Sequence, residues 1–188
     1  MRIAILGWGS LRWDDSYPAF DVQHGEWADD GPVLPVEFSR ISRKRKSALT
    51  LVIDEENGEP CQVGFALSRR ATCEEAAEDL RIREETTAPN VDSLIVRLAM
   101  ADSVDRVRHS IQAWASAKKL DAVVWTGLKS NFVRNTGHAF SIARAIAHLD
   151  MLSAEGRCHA VEYFQKAPDA IDTPLRRALR KRCAPWAE

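Results

Sequence analysis

The chain has 188 residues, of which 45% are hydrophobic and 28% are charged, and its formal net charge is −1. A chain of this length fits one domain and buries roughly 70% of the surface that its unfolded form exposes, so it needs no disulfide or metal to stay folded. The small net charge argues against a protein whose main task is to neutralise nucleic-acid phosphates. We therefore expect a single domain over residues 1–188.

Two strands joined by a long loop are predicted at the start of the chain. The short apolar run Arg2–Leu6 indicates a buried strand, which Gly7 and Gly9 end. The segment Asp14–Pro35 is rich in Asp, Gly and Pro and is predicted to be a loop. A loop of this length in a compact domain is unusual unless it is functional or mobile. The second strand is expected over Val33–Ile41.

A β-hairpin is the clearest prediction in the next segment. Apolar residues alternate along Leu49–Ile53 and again along Val63–Leu67. Between these runs, Asn57-Gly58 offers residues that accept the positive φ angles of a tight turn. We therefore expect the two runs to pair, and the length of the connection leaves the turn type open.

Helices dominate the remaining chain. Thr72 followed by Glu75 is a capping-box pair and predicts a helix that runs to about Glu85. Strands are expected over Ser93–Met100 and Asp121–Trp125. The other predicted helices are one capped by Asp102 or Ser103, with Val104, Val107, Ile111 and Trp114 on one face, and then His138–Met151, Ala154–Gln165 and Thr173–Lys181. Because strands crowd the first two-thirds and helices the last third, the pattern favours an α+β fold.

The cysteines and the hydropathy pattern give no sign of metal binding, secretion or membrane insertion. Four cysteines are scattered without the paired spacing of a zinc site: Cys61, Cys73, Cys158 and Cys183. The N-terminal run lacks the long apolar region of a signal peptide, and no stretch approaches the ~20 apolar residues of a membrane span. We expect a cytoplasmic protein without disulfides.

A glycine loop follows the first predicted strand, made of Gly7, Trp8, Gly9, Ser10 and Leu11. Its two glycines let the backbone turn sharply and direct several N–H groups to one point, as in an anion site. The loop is not a dinucleotide fingerprint, because the third glycine is absent and Pro18 stands where a helix is expected. A turn that ends an edge strand explains the same residues equally well, and Trp8 and Trp13 suit either a pocket wall or packing.

Glu84 and Glu85 lie at the end of the helix that begins after Thr72. A partly buried carboxylate near the negative end of a helix dipole tends towards its protonated form and can shuttle a proton. On spacing alone, paired glutamates at a helix end are more often solvated. The two residues are one ~100° step apart around the helix, so only one can point squarely at the glycine loop.

Two basic clusters have alternative interpretations. The first precedes the hairpin and contains Arg40, Arg43, Lys44, Arg45 and Lys46; the second lies on the last helix and contains Arg176, Arg177, Arg180, Lys181 and Arg182. The first could hold an acidic substrate, although a solvated connection is the simpler explanation. The second shares its helix with Leu175 and Leu179, which favours a packed helix with a basic outer face over a nucleic-acid surface.

Two short motifs together resemble the γ-glutamylcyclotransferase superfamily. The run ILGWGSLRW resembles the family's N-terminal signature, in which a strand is followed by a Tyr-Gly-Ser-Leu type loop and which reads GYGSLIW in one branch. The run Leu80–Glu84, LRIRE, resembles the segment that carries the family's catalytic glutamate. The resemblance covers roughly residues 2–85. The chain departs from it at Trp8, which replaces tyrosine, at Arg81, where an acidic residue is common, and at Glu85-Thr86, where glycine or lysine often follows.

The resemblance implies a small mixed β-barrel with helices around it and an enzyme that needs no metal or cofactor. In the implied reaction, the α-amine of a γ-glutamyl group attacks its own γ-carbonyl, which gives 5-oxoproline and releases the attached amine. Glu84 would be the general acid and base. The glycine loop of Gly7, Trp8, Gly9, Ser10 and Leu11 would bind the substrate, with the N–H groups of Gly9, Ser10 and Leu11 as donors. A non-catalytic protein that binds an amino-acid-like ligand remains an alternative, and the released amine and the oligomeric state stay open.

Overall fold

The computed structural model describes residues 1–98 and 105–182. In these ranges the chain has seven strands and seven α-helices, which confirms the predicted α+β class. The strands form two open sheets of four and three strands, and the expected barrel is not seen, because neither sheet closes within the described ranges. The chain divides into two compact units, Met1–Leu34 with Gln62–Leu128 and Pro35–Cys61 with Lys129–Glu188. The prediction of a single domain stays a prediction.

The elements have the following bounds. The strands are β1 (Ile3–Gly7), β2 (Val33–Ser42), β3 (Ala48–Ile53), β4 (Glu59–Gln62), β5 (Gly64–Leu67), β6 (Val91–Ile95) and β7 (Ala122–Thr126). The helices are α1 (Pro18–Asp21), α2 (Cys73–Arg83), α3 (Arg106–Ala117), α4 (Phe132–Thr136), α5 (Ile142–Asp150), α6 (Ala154–Lys166) and α7 (Pro174–Arg180).

The first unit is built on a four-stranded sheet with the order β5-β1-β7-β6. Strand β1 is parallel to β7, and the other neighbours are antiparallel. Alternate residues of β1 and β7, Ile3 with Ile5 and Ala122 with Val124, pack in one buried cluster with Leu80 of α2. Burial of each large apolar side chain contributes about 1.5–3 kcal/mol, so this cluster fixes α2 on the sheet.

The long predicted loop contains α1 and then runs along the outer edge of β5. The amide of Gly25 donates to the carbonyl of Leu67 at 2.9 Å, and the amide of Ala28 donates to the carbonyl of Phe65 at 2.8 Å. These bonds satisfy backbone groups that an edge strand would otherwise expose. The loop therefore serves as a cover for the edge of the sheet.

The predicted pairing of Leu49–Ile53 with Val63–Leu67 is wrong. Strand β3 pairs with β2, and β5 pairs with β1 in the other sheet. The β2–β3 turn has no glycine, and Lys46 and Ser47 adopt positive φ angles of 51° and 70° there. Because this turn has no Asn-Gly or Asp-Gly pair, the alternation pattern alone could not identify the true partner strand.

The turn between β3 and β4 does not use the positive φ angles that were expected of Asn57-Gly58, since neither residue has one. The Asp54 side chain holds this turn, and its Oδ1 accepts from the amides of Glu56 at 3.2 Å and Asn57 at 3.0 Å. An aspartate that bonds to the amides following it is a common way to build a turn.

The second unit is built on the three-stranded sheet with the order β3-β2-β4. Phe38 of β2 stacks on Phe164 of α6 with ring centroids 4.0 Å apart, and α6 also packs on β3. Helix α4 lies between the predicted strand Asp121–Trp125 and the predicted helix His138–Met151, where no element was expected. Helix α5 begins at Ile142 after its cap Ser141, four residues later than expected. The predicted ends of α6 and α7 agree with the structure to within two residues.

The predicted amphipathic helix is α3, with Val107 and Ile111 buried as expected. Its described part begins after Asp105, whose side chain accepts from the Arg108 amide at 2.9 Å. The other residues predicted at this end, Met100, Asp102, Ser103 and Val104, lie outside the described residues.

Candidate functional site

The glycine loop leaves the end of β1 and closes into a 3₁₀ turn over Ser10–Arg12. The amide of Arg12 donates to the carbonyl of Gly9 at 3.0 Å, and the amide of Asp14 donates to the carbonyl of Ser10 at 2.9 Å. Within the described part of the chain, the amides of Gly9 and Leu11 donate to no protein acceptor. These two N–H groups are therefore the donors that the loop can offer to a ligand.

The aromatic residue of the glycine loop packs inward. Trp8 is buried, as is the neighbouring Leu11, whereas Trp13 is half-buried. Trp8 therefore belongs to the interior of the first unit, and its expected role as a substrate contact stays a prediction. The loop presents mainly backbone at Gly9 and Ser10.

Helix α2 begins as predicted, with a complete capping box between Thr72 and Glu75. The helix ends at Arg83, directly before the two glutamates. Glu84 is the C-cap residue, and Glu85 follows with a φ angle of 47°. The amide of Thr86 donates to the carbonyl of Arg81, and the amide of Glu85 donates to that of Ile82. This is the Schellman pattern, in which glycine usually occupies the position of Glu85.

The structure separates the surroundings of the two glutamates. The Glu84 carboxylate lies 3.9 Å from Nη1 of Arg83, and its side chain is 22% exposed. The Glu85 carboxylate accepts a hydrogen bond of 2.7 Å from the hydroxyl of Tyr17. Glu85 is thus engaged by the segment after the glycine loop, and Glu84 adjoins a buried positive charge.

Arg83 joins the end of α2 to the glycine loop. Its side chain is only 5% exposed, and its Nη2 donates to the carbonyl of Ser10 at 3.3 Å and lies 3.6 Å from the carboxylate of Asp14. The guanidinium also lies over the ring of Tyr17, with the ζ carbon 4.1 Å from the ring centroid. A buried guanidinium between carboxylates, a carbonyl and an aromatic face holds these groups in fixed positions.

Arg83 and Tyr17 are the residues that sequence reasoning missed. The buried positions of α2 are Cys73, Ala76, Leu80 and Arg83, with spacings of three, four and three residues. This periodicity is the signature of the buried face of a helix. Arg83 occupies the position at which this periodicity predicts another buried residue. That position is the sequence signal that could have marked its side chain as buried. Tyr17 has no comparable signal.

The basic residues of α7 and its C-terminus already have partners in the second unit. Arg176 is buried, and its guanidinium donates to the carbonyls of Pro168, Ile171 and Ala167. The ion pairs of the next arginines are Arg177 with Glu59, Arg180 with Asp172 and Arg182 with Asp150. These contacts favour the interpretation of a packed helix over that of a nucleic-acid surface.

Three of the five residues of the other basic cluster also have partners in the second unit. Arg40 donates to the carbonyl of Lys129 at 2.7 Å, the Arg45 guanidinium lies 5.0 Å from the ring centroid of Tyr163, and Lys46 pairs with Glu155 at 3.4 Å. This cluster therefore forms part of the packing around the β2–β3 turn.

Burial raises the pKa of the thiols of Cys61 and Cys73, so both stay protonated at neutral pH. A protonated, buried thiol is a poor nucleophile. Within the described residues, no group of three or more His, Cys, Asp or Glu side chains is arranged to hold a metal ion.

Comparisons with models of protein families, with curated proteins and with solved structures find no match to this chain. None of the described helices is both long enough and apolar enough to span a bilayer.

Proposed function

We propose that the chain is a γ-glutamylcyclotransferase-type enzyme in which Glu84 is the general acid and base. The observation that carries this proposal is the 3.3 Å contact between Nη2 of Arg83 and the carbonyl of Ser10. Through this contact, the helix end that bears Glu84 adjoins the glycine loop. The proposed reaction needs a proton-transfer group and a set of backbone donors at one place, and these are the two features that the contact joins.

The reaction is an intramolecular aminolysis. The Glu84 carboxylate takes a proton from the α-ammonium group of a γ-glutamyl compound, and the free amine attacks the γ-carbonyl carbon. In the tetrahedral intermediate, Glu84 passes that proton to the leaving nitrogen and takes a second proton from the attacking nitrogen, which becomes the N–H of the ring. The C–N bond to the leaving amine then breaks, and the second proton goes to the released amine, so that Glu84 returns to its carboxylate form. The products are 5-oxoproline and the free amine. Because the nucleophile is tethered to the carbonyl, the effective concentration of the reacting groups is already high.

The glycine loop supplies the electrostatic part of the mechanism. The amides of Gly9 and Leu11 can donate to the α-carboxylate or to the oxyanion that develops on the γ-carbonyl. The Arg83 guanidinium lies 3.9 Å from the Glu84 carboxylate and donates to the Ser10 carbonyl, so it holds the proton-transfer group beside the glycine loop. The α+β class of the chain is compatible with this proposal. The proposal includes membership of the γ-glutamylcyclotransferase superfamily.

The test is detection of 5-oxoproline by mass spectrometry from a panel of γ-glutamyl peptides and amines. Wild type, Glu84→Gln and Glu85→Gln are compared side by side. We expect wild type and Glu85→Gln to release 5-oxoproline and Glu84→Gln to release none, because an amide cannot carry the proton. Loss of release in Glu85→Gln alone would transfer the role to Glu85. No release from any compound would overturn the enzymatic proposal.

One observation favours a second candidate, a protein that binds an amino-acid-like ligand without turnover. The Glu84 carboxylate adjoins a guanidinium that is only 5% exposed, and such a buried ion pair is often a binding or structural feature. This candidate predicts that γ-glutamyl compounds or free amino acids bind to wild type and to Glu84→Gln with comparable affinity. Isothermal titration calorimetry without product formation distinguishes it from the enzyme.

A further inference from the structure

Two glycines face each other across β1 and β5 at the start of the glycine loop. Gly7 and Gly64 are register partners in the antiparallel pair. A Cβ atom on Gly7 would lie 2.7 Å from Cζ3 of Trp27, and one on Gly64 would lie 2.8 Å from Cζ of Arg12. Both distances are too short for a side chain. The missing Cβ atoms therefore create a slot, the Arg12 slot, which is formed by Gly7, Gly64 and Trp27 and filled by Arg12.

The slot fixes the side chain of Arg12. Its ζ carbon lies 5.8 Å from the ring centroid of Trp27, and its side chain is 14% exposed. Its Nε is buried and has no hydrogen-bond partner among the described residues. At the outer end, Nη2 lies 2.7 Å from Oδ1 of Asp29, whose side chain is 79% exposed. The charge of Arg12, held in a narrow slot, thus has an ion-pair partner on the solvent side.

An ion pair whose carboxylate is 79% exposed contributes little to stability, because water and salt screen that carboxylate. The Asp29 carboxylate can therefore exchange for the carboxylate of a ligand at small cost. The guanidinium presents a planar fork of donors that matches a carboxylate. Since the slot already fixes the Arg12 rotamer, ligand binding requires no further ordering of this side chain.

The slot also lies close to the proposed reaction centre. Ser10, whose carbonyl contacts Arg83, precedes Arg12 by two residues, so their Cα atoms are within about 7 Å of each other. We propose that Arg12 binds a carboxylate on the leaving amine. The substrate is then a γ-glutamyl amino acid or peptide rather than a γ-glutamyl amine without a carboxylate. This inference rests on the proposed function and names its substrate class.

The test compares γ-glutamylglycine with γ-glutamylglycinamide, which differ only in the terminal carboxylate. Dissociation constants are measured by isothermal titration calorimetry on Glu84→Gln protein, so that turnover does not interfere. We expect the acid to bind about tenfold more tightly than the amide, as one charge-assisted hydrogen bond would give. Arg12→Gln should abolish this preference, and Asp29→Asn should increase it several-fold, because the competing carboxylate is removed.

Asp15→Asn is the matched control, since it removes a negative charge from an exposed aspartate of the same loop. It should leave the ratio of the two dissociation constants unchanged. Equal binding of acid and amide to the protein, or a preference that persists in Arg12→Gln, would overturn the inference, as would a failure of both compounds to bind. If no 5-oxoproline forms from any compound but the acid is still preferred through Arg12, the carboxylate site stands and only the proposed reaction fails.

Discussion

The hydroxyl of Tyr17 donates a hydrogen bond of 2.7 Å to Oε1 of Glu85, and the ring of the same tyrosine lies under the guanidinium of Arg83. The Tyr17 side chain, which comes from the segment after the glycine loop, thus contacts both Arg83 and Glu85 at the α2 terminus. Glu85 adopts a φ of 47°, which is unfavourable for a residue with a Cβ atom. The hydrogen bond offsets part of this cost.

A double-mutant cycle measures this compensation. In wild type, Glu85→Gly should change the free energy of unfolding little, because relief of about 1 kcal/mol of backbone strain offsets the loss of a hydrogen bond of about 1 kcal/mol. In the Tyr17→Phe background the bond is already absent, so Glu85→Gly should stabilise by about 1 kcal/mol. Urea unfolding of the four proteins gives the coupling. Identical effects of Glu85→Gly in both backgrounds would show that the contact does not compensate the strain.

Arg83→Lys should impair both the site and the fold. A lysine ammonium cannot contact the Ser10 carbonyl, Asp14 and the Tyr17 ring in the way that a planar guanidinium does. We expect the free energy of unfolding to fall by about 1–3 kcal/mol and 5-oxoproline formation to fall at least tenfold. The measurements are urea unfolding and product release under conditions where the variant is folded.

The control for Arg83→Lys is Arg81→Lys on the same helix. Arg81 pairs with Glu78 at 2.6 Å at the surface, and such pairs contribute little; its Nη1 also donates to the Thr86 carbonyl at 3.0 Å, a single acceptor that a lysine ammonium can also reach. We expect a change within about 0.5 kcal/mol and unaltered product release. Similar losses in the two variants would argue that α2 tolerates no lysine at either position, and not that Arg83 has a special role.

Glu37 should make the stability depend on pH. Its carboxyl group is fully buried, and this desolvation raises its pKa above the ordinary value of 4.5. Its oxygens accept from the amides of Phe38 at 2.7 Å and Leu175 at 3.1 Å. Because the folded state holds the proton more tightly than the unfolded state, the contribution of Glu37 to stability falls as the pH rises from 4.5 through the raised pKa. Above that pKa it is constant.

Glu37→Gln isolates this effect, because the other titratable groups remain. The variant should be less stable throughout, since its NH₂ group would face one of the two amide donors. The difference in unfolding free energy between wild type and Glu37→Gln should narrow as the pH rises through the window above 4.5. Chemical denaturation at a series of pH values measures this difference. A difference that is constant or widens with pH would contradict the raised pKa.

Gly156→Ala should destabilise the protein, although alanine is normally the better helix residue by about 1 kcal/mol. A Cβ atom at this position of α6 would lie 2.5 Å from the carbonyl oxygen of Lys46, which is backbone and cannot rotate away. We expect a loss of about 1–3 kcal/mol, as for other overpacked sites. In the control Gly25→Ala, the atom nearest to the added Cβ is the carbonyl oxygen of Leu67 at 3.8 Å, so the stability should change much less. Thermal unfolding of the two variants measures this difference.

The features that were correctly predicted from the sequence are local. The α2 capping box needs only Thr72 and Glu75, and the apolar face of α3 with Val107 and Ile111 is contained in a single segment. Such signals act between residues three or four positions apart, so they are readable without the tertiary structure. The fold class followed from the order of these local elements.

The features that were missed depend on distant partners. Strand β3 pairs with β2 through side-chain packing and through a turn at Lys46 and Ser47. This turn has no Asn-Gly or Asp-Gly pair that would mark it in the sequence. The contact of Arg83 with Ser10 joins residues 73 positions apart. No periodicity within one segment encodes a contact at that separation, so the link between the glycine loop and the α2 terminus required the structure.

The distribution of the second unit along the chain has a consequence for synthesis. Strand β3 ends at Ile53, and α6, which packs on it, begins only at Ala154. At 5–20 residues per second, a ribosome needs roughly 5–20 s to add the intervening stretch of about 100 residues. During this interval α6 has not yet been synthesised, so the apolar side chains of β2 and β3, such as Phe38 and Leu49, are not covered by it. We therefore expect the nascent chain to expose these apolar segments to chaperones during this interval.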